Sequence, residues 1–370
     1  MAGQFSSETK QKLLENISDF IQNDGRSFIG IDIDDLGYRL QVKLNMVPQK
    51  VYGFHYSLQT FALVYINFAF ILSDIHQHFF KELQNENIEK INQSVGKLVF
   101  QMTYAISNGE RLQHTIFKFL APLTFTTYGS ALASSSFGAN NQVLPEAMDW
   151  LSAGLTSDVT SGRLKMASVF YSIGEMEKAE EILRRTEQLY NSHPVLSICS
   201  RLLRSPPTVS EDFAKVCIED NEDCIKHIVA FCVHFIPQEI NCVPHELQYE
   251  MFRSTQDDKL YRDPLYDCWM DWATVDSLPF LYFLQYKIYS HLQRQEEKQQ
   301  ALDNIKRTIV TEENISHIET ALNILGQCME QENRPQDALE YYIRSLQQRT
   351  RNNAANIHIC RLLSRLLVAK

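Results

Sequence analysis

A chain of 370 residues with 44% hydrophobic and 22% charged residues has the composition of a folded protein and not of a disordered one. Its formal net charge of −10 speaks against a nucleic-acid surface as its main business. Only 13 Gly and 11 Pro leave few turns, which favours long helices over sheet.

In chain order, the first predicted element is a helix over 6–23, with Leu13, Leu14, Ile17, Phe20 and Ile21 at helical spacing behind a Ser6-Ser7-Glu8 start. This start has no apolar signal core, so a cytoplasmic protein is expected. The stretch SFIGIDIDDLGYRLQVKLN, residues 27–45, then alternates apolar and polar on both sides of a DDLG turn and reads as a small N-terminal β-hairpin. Helices follow over about 56–83, 86–107, 110–122 and 144–156. The most apolar run, FALVYINFAFIL, spans 61–72 and falls short of the ~20 residues that cross a bilayer, so it is read as a buried helix with no membrane role. YGSALASSSFGANN, 128–141, is small and polar and reads as a loop; CIKHIVAFCVHFI, 224–236, reads as an apolar helix. RSPPTVSED, 204–212, is the best linker, because Pro206-Pro207 cannot sit inside a helix. The expected division is 1–50 for helix plus hairpin, 51–203 for a helical domain, 204–277 for an irregular linking segment and 278–370 for helical hairpins with a cap.

A repeat underlies the second half. LKMASVFYSIGEMEKAEEILRRTEQLYNSHP and TALNILGQCMEQENRPQDALEYYIRSLQQRT each give a helix, a turn at Gly174 or Asn333, a small Ala179 or Ala338, and a second helix. A third copy over 278–310 puts Ala301 at the small position, and NNAANIHICRLLSRLLVAK would cap the array. Leu325-Gly326, Ala338 and Tyr342 in the last copy resemble the tetratricopeptide repeat. The small residues let the two helices approach, and Tyr342 fills the gap to the next hairpin. Such hairpins cannot bury their apolar faces singly and must stack. The fold class expected is therefore mostly α, with stacked TPR-like hairpins.

Chemistry is sparse. Asp32 and Asp34 have the i, i+2 spacing of a metal-holding acidic pair, but Arg39, Gln41 and Lys43 on the facing strand explain them as an ordinary hairpin face. Eight cysteines, all in the second half and irregularly spaced, read as free thiols. Cys224, His227, Cys242 and His245 repeat a C-x-x-H spacing and form a weaker zinc alternative to simple packing. No nucleophile elbow, phosphate loop or dinucleotide fingerprint occurs. No catalytic residue and no cofactor are therefore assigned. From Arg334 to Lys370 seven basic residues face two acidic ones, a local +5. With the repeat register as read, Asn323 and Gln327 point to a concave groove and Arg361 joins them from the cap, a set suited to an acidic peptide.

Several long segments carry a further resemblance: WLSAGLTSDVTSGRLKMASVFYSIGEMEKAEEILRRTEQ, EINCVPHELQYEMF, DSLPFLYFLQYK and ETALNILGQCMEQENRPQDALEYYIRSLQQRTRNNAANIHICRLL. They are similar to the C-terminal helical part of the male-abnormal (Mab) family, relatives of cyclic GMP-AMP synthase, in an invertebrate branch with tetratricopeptide-like helices. The resemblance implies kinship to innate nucleic-acid-sensing nucleotidyltransferases. With 24 residues ahead of the hairpin, the catalytic sheet is expected to be missing and no catalytic residue transfers. The expected function is a non-catalytic scaffold that binds a protein or peptide, with self-association open. A degenerate or truncated nucleotidyltransferase that binds nucleotide or nucleic acid is the alternative.

Overall fold

The structure is a computed structural model that describes residues 76, 81, 87–108, 111–192, 194–199, 225–263, 267–312 and 315–368. The expected N-terminal helix and β-hairpin, Asp32 and Asp34, the 204–212 linker and Cys224 lie outside the described residues.

The fold is mostly α, as its composition requires. Helices α1 (Ile88–Asn108), α2 (Arg111–Asn140) and α3 (Pro145–Ala153) pack together. They are followed by α4 (Ser161–Ser172) and α5 (Met176–Ser192). Strand β1 (Leu196–Ile198) precedes a mixed stretch of α6 (Ile225–Ile228), β2 (Val229–Phe231), β3 (Val233–Phe235), a 3-10 turn over Pro237–Cys242, α7 (His245–Gln248) and a 3-10 turn over Tyr249–Phe252. Then come α8 (Gln256–Lys259), β4 (Ala273–Val275), α9 (Ser277–His291), α10 (Gln295–Thr311), α11 (Ile318–Gln331), α12 (Pro335–Gln348) and α13 (Ala355–Val368). β1 runs parallel to β2, with Ile198 level with Phe231, and β3 runs antiparallel to β4, with Val233 level with Val275.

No helix of the described residues is long and apolar enough to cross a membrane. One core runs from Leu164 through Phe235, Leu247 and Phe280 to Tyr342 and Leu362, so the hairpins and the 233–251 stretch share it.

Two readings of the sequence need correction. The 128–141 stretch is not a loop but the second half of α2. Its small residues mark close packing: a Cβ on Gly129 would lie 2.7 Å from Leu151 N and 2.9 Å from Ala147 O, and Ser130, Ala131, Ala133 and Ser134 are fully buried. The 224–236 stretch is not one helix; after four helical residues it turns into β2 and β3. Both strands are buried along their whole length, and a run of Val, Ala and Phe buried on two faces carries no alternation to separate strand from helix.

The hairpins α4–α5, α9–α10 and α11–α12 turn in the same way. Gly174, Gln293 and Asn333 hold φ of 84°, 59° and 56°. In each, the next N–H bonds the carbonyl five residues back: Glu175 to Phe170, Arg294 to Tyr289 and Arg334 to Met329, all at 2.9 Å. That pair of left-handed residue and long-range cap closes the first helix and reverses the chain. The shared turn fixes the register. Counting five residues on from it places Ala179, Lys298 and Ala338 in one slot, so Lys298 and not Ala301 is the counterpart of the two alanines. Seven residues back it places Ala167, Tyr286 and Gly326 together. In the last hairpin the second helix supplies the ring, Tyr342, and the first leaves room at Gly326. In the middle one the first helix supplies Tyr286, whose hydroxyl donates to Glu332 at 2.7 Å.

A Cβ on Gly326 would overlap the buried Tyr342 ring. Alanine at a mid-helix glycine ordinarily stabilises by about 1 kcal/mol. Gly326→Ala is expected to do the reverse and cost about 1–3 kcal/mol by overpacking, read as a lower urea midpoint at unchanged slope.

Candidate functional site

The residues expected to line a groove are instead inside the protein. Asn323 is 1% exposed; its amide donates to Glu250 Oε1 at 2.8 Å and to Asn353 Oδ1 at 3.1 Å. Gln327 is buried and its amide meets His358 Nδ1. Arg361 is exposed, its guanidinium 4.5 Å above the Tyr249 ring.

The cause is the segment around α7, which lies against the first helices of the last two hairpins. Glu246 takes the Lys287 ammonium of α9 at 2.6 Å and the Gln331 amide of α11 at 2.5 Å, while Glu250 takes Asn323. In the basic C-terminal region Arg334, Arg349 and Arg365 likewise find carboxylates of this chain, at Asp337, Glu319 and Glu330.

His358 sits in the same network. Its ring stacks on Tyr342 with centroids 5.0 Å apart and an angle of 17°, and meets the Tyr249 edge at 5.0 Å. Burial first, then the charges of Arg361 and His245, push its pKa down to about 3. The folded imidazole is therefore neutral, while the unfolded one protonates near pH 6.5. Its stabilising contribution is complete above pH 6.5 and is lost as pH falls toward 3. Between pH 7 and pH 5 the wild type is expected to lose about 2 kcal/mol more than His358→Gln, measured by urea unfolding at both pH values.

Of the zinc alternative, Cys224 lies outside the described residues, and His227, Cys242 and His245 do not gather into a group that could hold a metal. His227 is exposed on α6, Cys242 is fully buried with its carbonyl accepting from Ser168 Oγ at 2.6 Å, and His245 packs at the surface against Tyr249 at 5.1 Å. Burial pushes the Cys242 thiol up beyond the ordinary range, as packing requires.

A buried polar centre that the sequence did not disclose lies between α2, α4 and the strands. Asp158, 1% exposed, precedes α4 and takes the backbone N–H of Ser161 at 3.0 Å and of Phe231 at 2.9 Å, together with the Ser157 hydroxyl at 2.7 Å. Lys165, on α4, donates to Glu239 Oε1 at 2.8 Å and to Thr127 Oγ1 at 2.9 Å, and Glu239 Oε2 accepts from Ile236 N at 2.7 Å. Next to Lys165 is a small cavity of about 20 Å³, lined among others by His76, Ser161, Cys232 and His234. That volume is of the order of a single water and too small for a metabolite. His234 bonds Thr274 Oγ1 at 3.0 Å; burial, then the nearby Lys165, pushes its pKa down to about 3. The centre cross-links elements; it is not shaped to admit a substrate.

On its other side the centre continues into sulfur and nitrogen. Cys199 follows β1, Cys232 separates β2 from β3, and His317 precedes α11. Asp276 precedes α9, yet its carboxylate does not cap that helix. It reaches across to accept Ser316 N at 3.0 Å and His317 N at 2.7 Å, and it lies 3.4 Å from Cys232 Sγ.

Comparison with protein-family models, with curated proteins and with solved structures returned no match.

Proposed function

We propose that this chain is a non-catalytic helical-repeat scaffold of TPR-like hairpins that binds an amphipathic helical segment of a protein partner. The kinship suggested by its long segments would place that partner in innate-immune signalling. The observation that carries the reading is the outer side of α13. Leu363 and Leu367 stand at i, i+4 with Leu366 beside them, at 44%, 74% and 44% exposure, and Arg361 and Arg365 are exposed on the same helix. A row of exposed leucines suits the apolar face of an amphipathic helix, whereas Arg361, over the Tyr249 ring, and Arg365, paired with Glu330, lie on the opposite side of α13. Ile343, 45% exposed on α12, adds apolar surface on the helix that packs against α13. The wall formed by α9 and α11, which a peptide-binding repeat would ordinarily use, is covered by α7 and the turn after it.

The test uses the full chain and a fluorescent 20-residue helical peptide of alternating Leu and Glu faces, followed by anisotropy. Binding is expected to fall at least tenfold in Leu363→Glu with Leu367→Glu. If the peptide does not bind, while a single-stranded oligonucleotide does and loses its binding in Arg361→Glu, the nucleic-acid reading replaces this one. Dimerisation abolished by the same leucine changes would assign the face to a second copy.

A further inference from the structure

The structure assigns a thiophilic metal site to Cys199, Cys232 and His317: we propose that the two sulfurs and the imidazole hold one zinc-class divalent ion, with the Asp276 carboxylate as the nearest further oxygen donor. Their ligand atoms all lie within 4.8 Å of one another, and all three side chains are buried. Four-coordinate zinc with sulfur at ~2.3 Å and nitrogen at ~2.0 Å sets its donors roughly 3.5–3.8 Å apart, so an ion fits after sub-ångström adjustment. Cys199 Sγ stands 3.0 Å from His317 Nε2, closer than two ligands of one ion and consistent with a thiol–imidazole contact that metal would part.

Sequence distance is no obstacle, because the backbone brings the ligands together. The parallel pairing of Ile198 with Phe231 continues as Cys232 N–H bonding Ile198 O at 3.1 Å, which sets Cys199 and Cys232 side by side. The Asp276 carboxylate holds the backbone of Ser316 and His317, so the imidazole is positioned by a group already fixed. The Trp269 ring, centroid 4.6 Å from that of His317, covers it edge-on. A dry site of two cysteines and a histidine favours zinc over calcium or magnesium, which want oxygen.

On binding, each thiol gives up its proton to solvent and its sulfur forms one bond to the metal, with no change in oxidation state. Because both thiols must lose their protons to ligate, uptake is expected to fall as pH drops and to release protons. The ion would clamp the β1–β2 ladder to the start of α11 and so join the strands to the last hairpins.

The experiment is elemental analysis of full-length chain expressed with zinc, then cobalt(II) loading followed by visible spectroscopy. One ion per chain and the absorption bands of four-coordinate, thiolate-bound cobalt are expected. His317→Gln and Cys232→Ser should lower the content to less than about a tenth of an ion per chain, and Cys360→Ser, at an exposed thiol, should leave it unchanged. Circular dichroism checks that the variants are folded. Should they unfold, the wild type decides: its Tm should fall under a chelator and recover with zinc. Substoichiometric metal, cobalt bands that survive the Cys232 change, a Tm indifferent to chelator, or a Cys199–Cys232 disulfide in the native chain would each overturn the assignment.

Discussion

Replacing Lys165 by methionine is expected to destabilise the fold by about 3–5 kcal/mol, because it strands a buried carboxylate. Side-chain exposure is 5% for Lys165 and 0% for Glu239, so neither charge is shared with water. Burial drives both toward their neutral forms, the lysine down and the glutamate up, against their mutual attraction. The pair is therefore costly to break yet contributes little net stability as a pair. Lys165→Met combined with Glu239→Gln should recover most of the loss, since glutamine keeps an oxygen for the Ile236 N–H and the methionine sits against Phe235, now 5.3 Å from the ammonium. Urea unfolding of the two single variants and the double variant gives the answer as a mutant cycle. A double variant no better than Lys165→Met would show that the ion pair itself stabilises.

Asp158→Ala carries the second large effect, a loss of about 3–6 kcal/mol. The carboxylate satisfies the N–H groups of Ser161 and Phe231, and removing it leaves both buried without an acceptor, at about 1–3 kcal/mol each, besides the lost hydroxyl bonds. It is the tie between the first turn of α4 and strand β2. Asp158→Asn retains one carbonyl oxygen and should lose roughly half as much. A loss below about 1 kcal/mol for the alanine variant, at unchanged urea slope, would mean that water replaces the side chain there.

The helical hairpins were legible in the sequence because 3.6-residue periodicity and the turns at Gly174 and Asn333 announce them. The middle register was not. Gln293 adopts the same left-handed turn without any residue preference to betray it, so Ala301 drew the alignment three residues away from Lys298. The strands were hidden for a different reason: buried on both faces, they have no polar phase. Small residues over 128–141 carried two meanings, loop or tight packing, and part of the partner surface that decides between them, the turn at Pro237–Cys242, is remote in sequence, Asn241 meeting Ser134 at a separation of 107. The candidate sites were the least legible part. Asn323 and Gln327 were placed on a helix face correctly enough to be noticed, but what covers that face lies some 70 residues upstream, Asn323 meeting Glu250 with a separation of 73. Cys199 and His317 are 118 residues apart, and no spacing rule spans that distance.

The way α7 completes the wall of α9 and α11 has a consequence for how this protein comes into being. The cover precedes the wall in the chain, so during synthesis Glu246 and Glu250 have already left the ribosome when Lys287 and Asn323 emerge to meet them. Each hairpin can dock onto a prepared seat. A fragment that starts at Ser277 has no such seat, so the last helices are expected not to fold as a transplantable cassette.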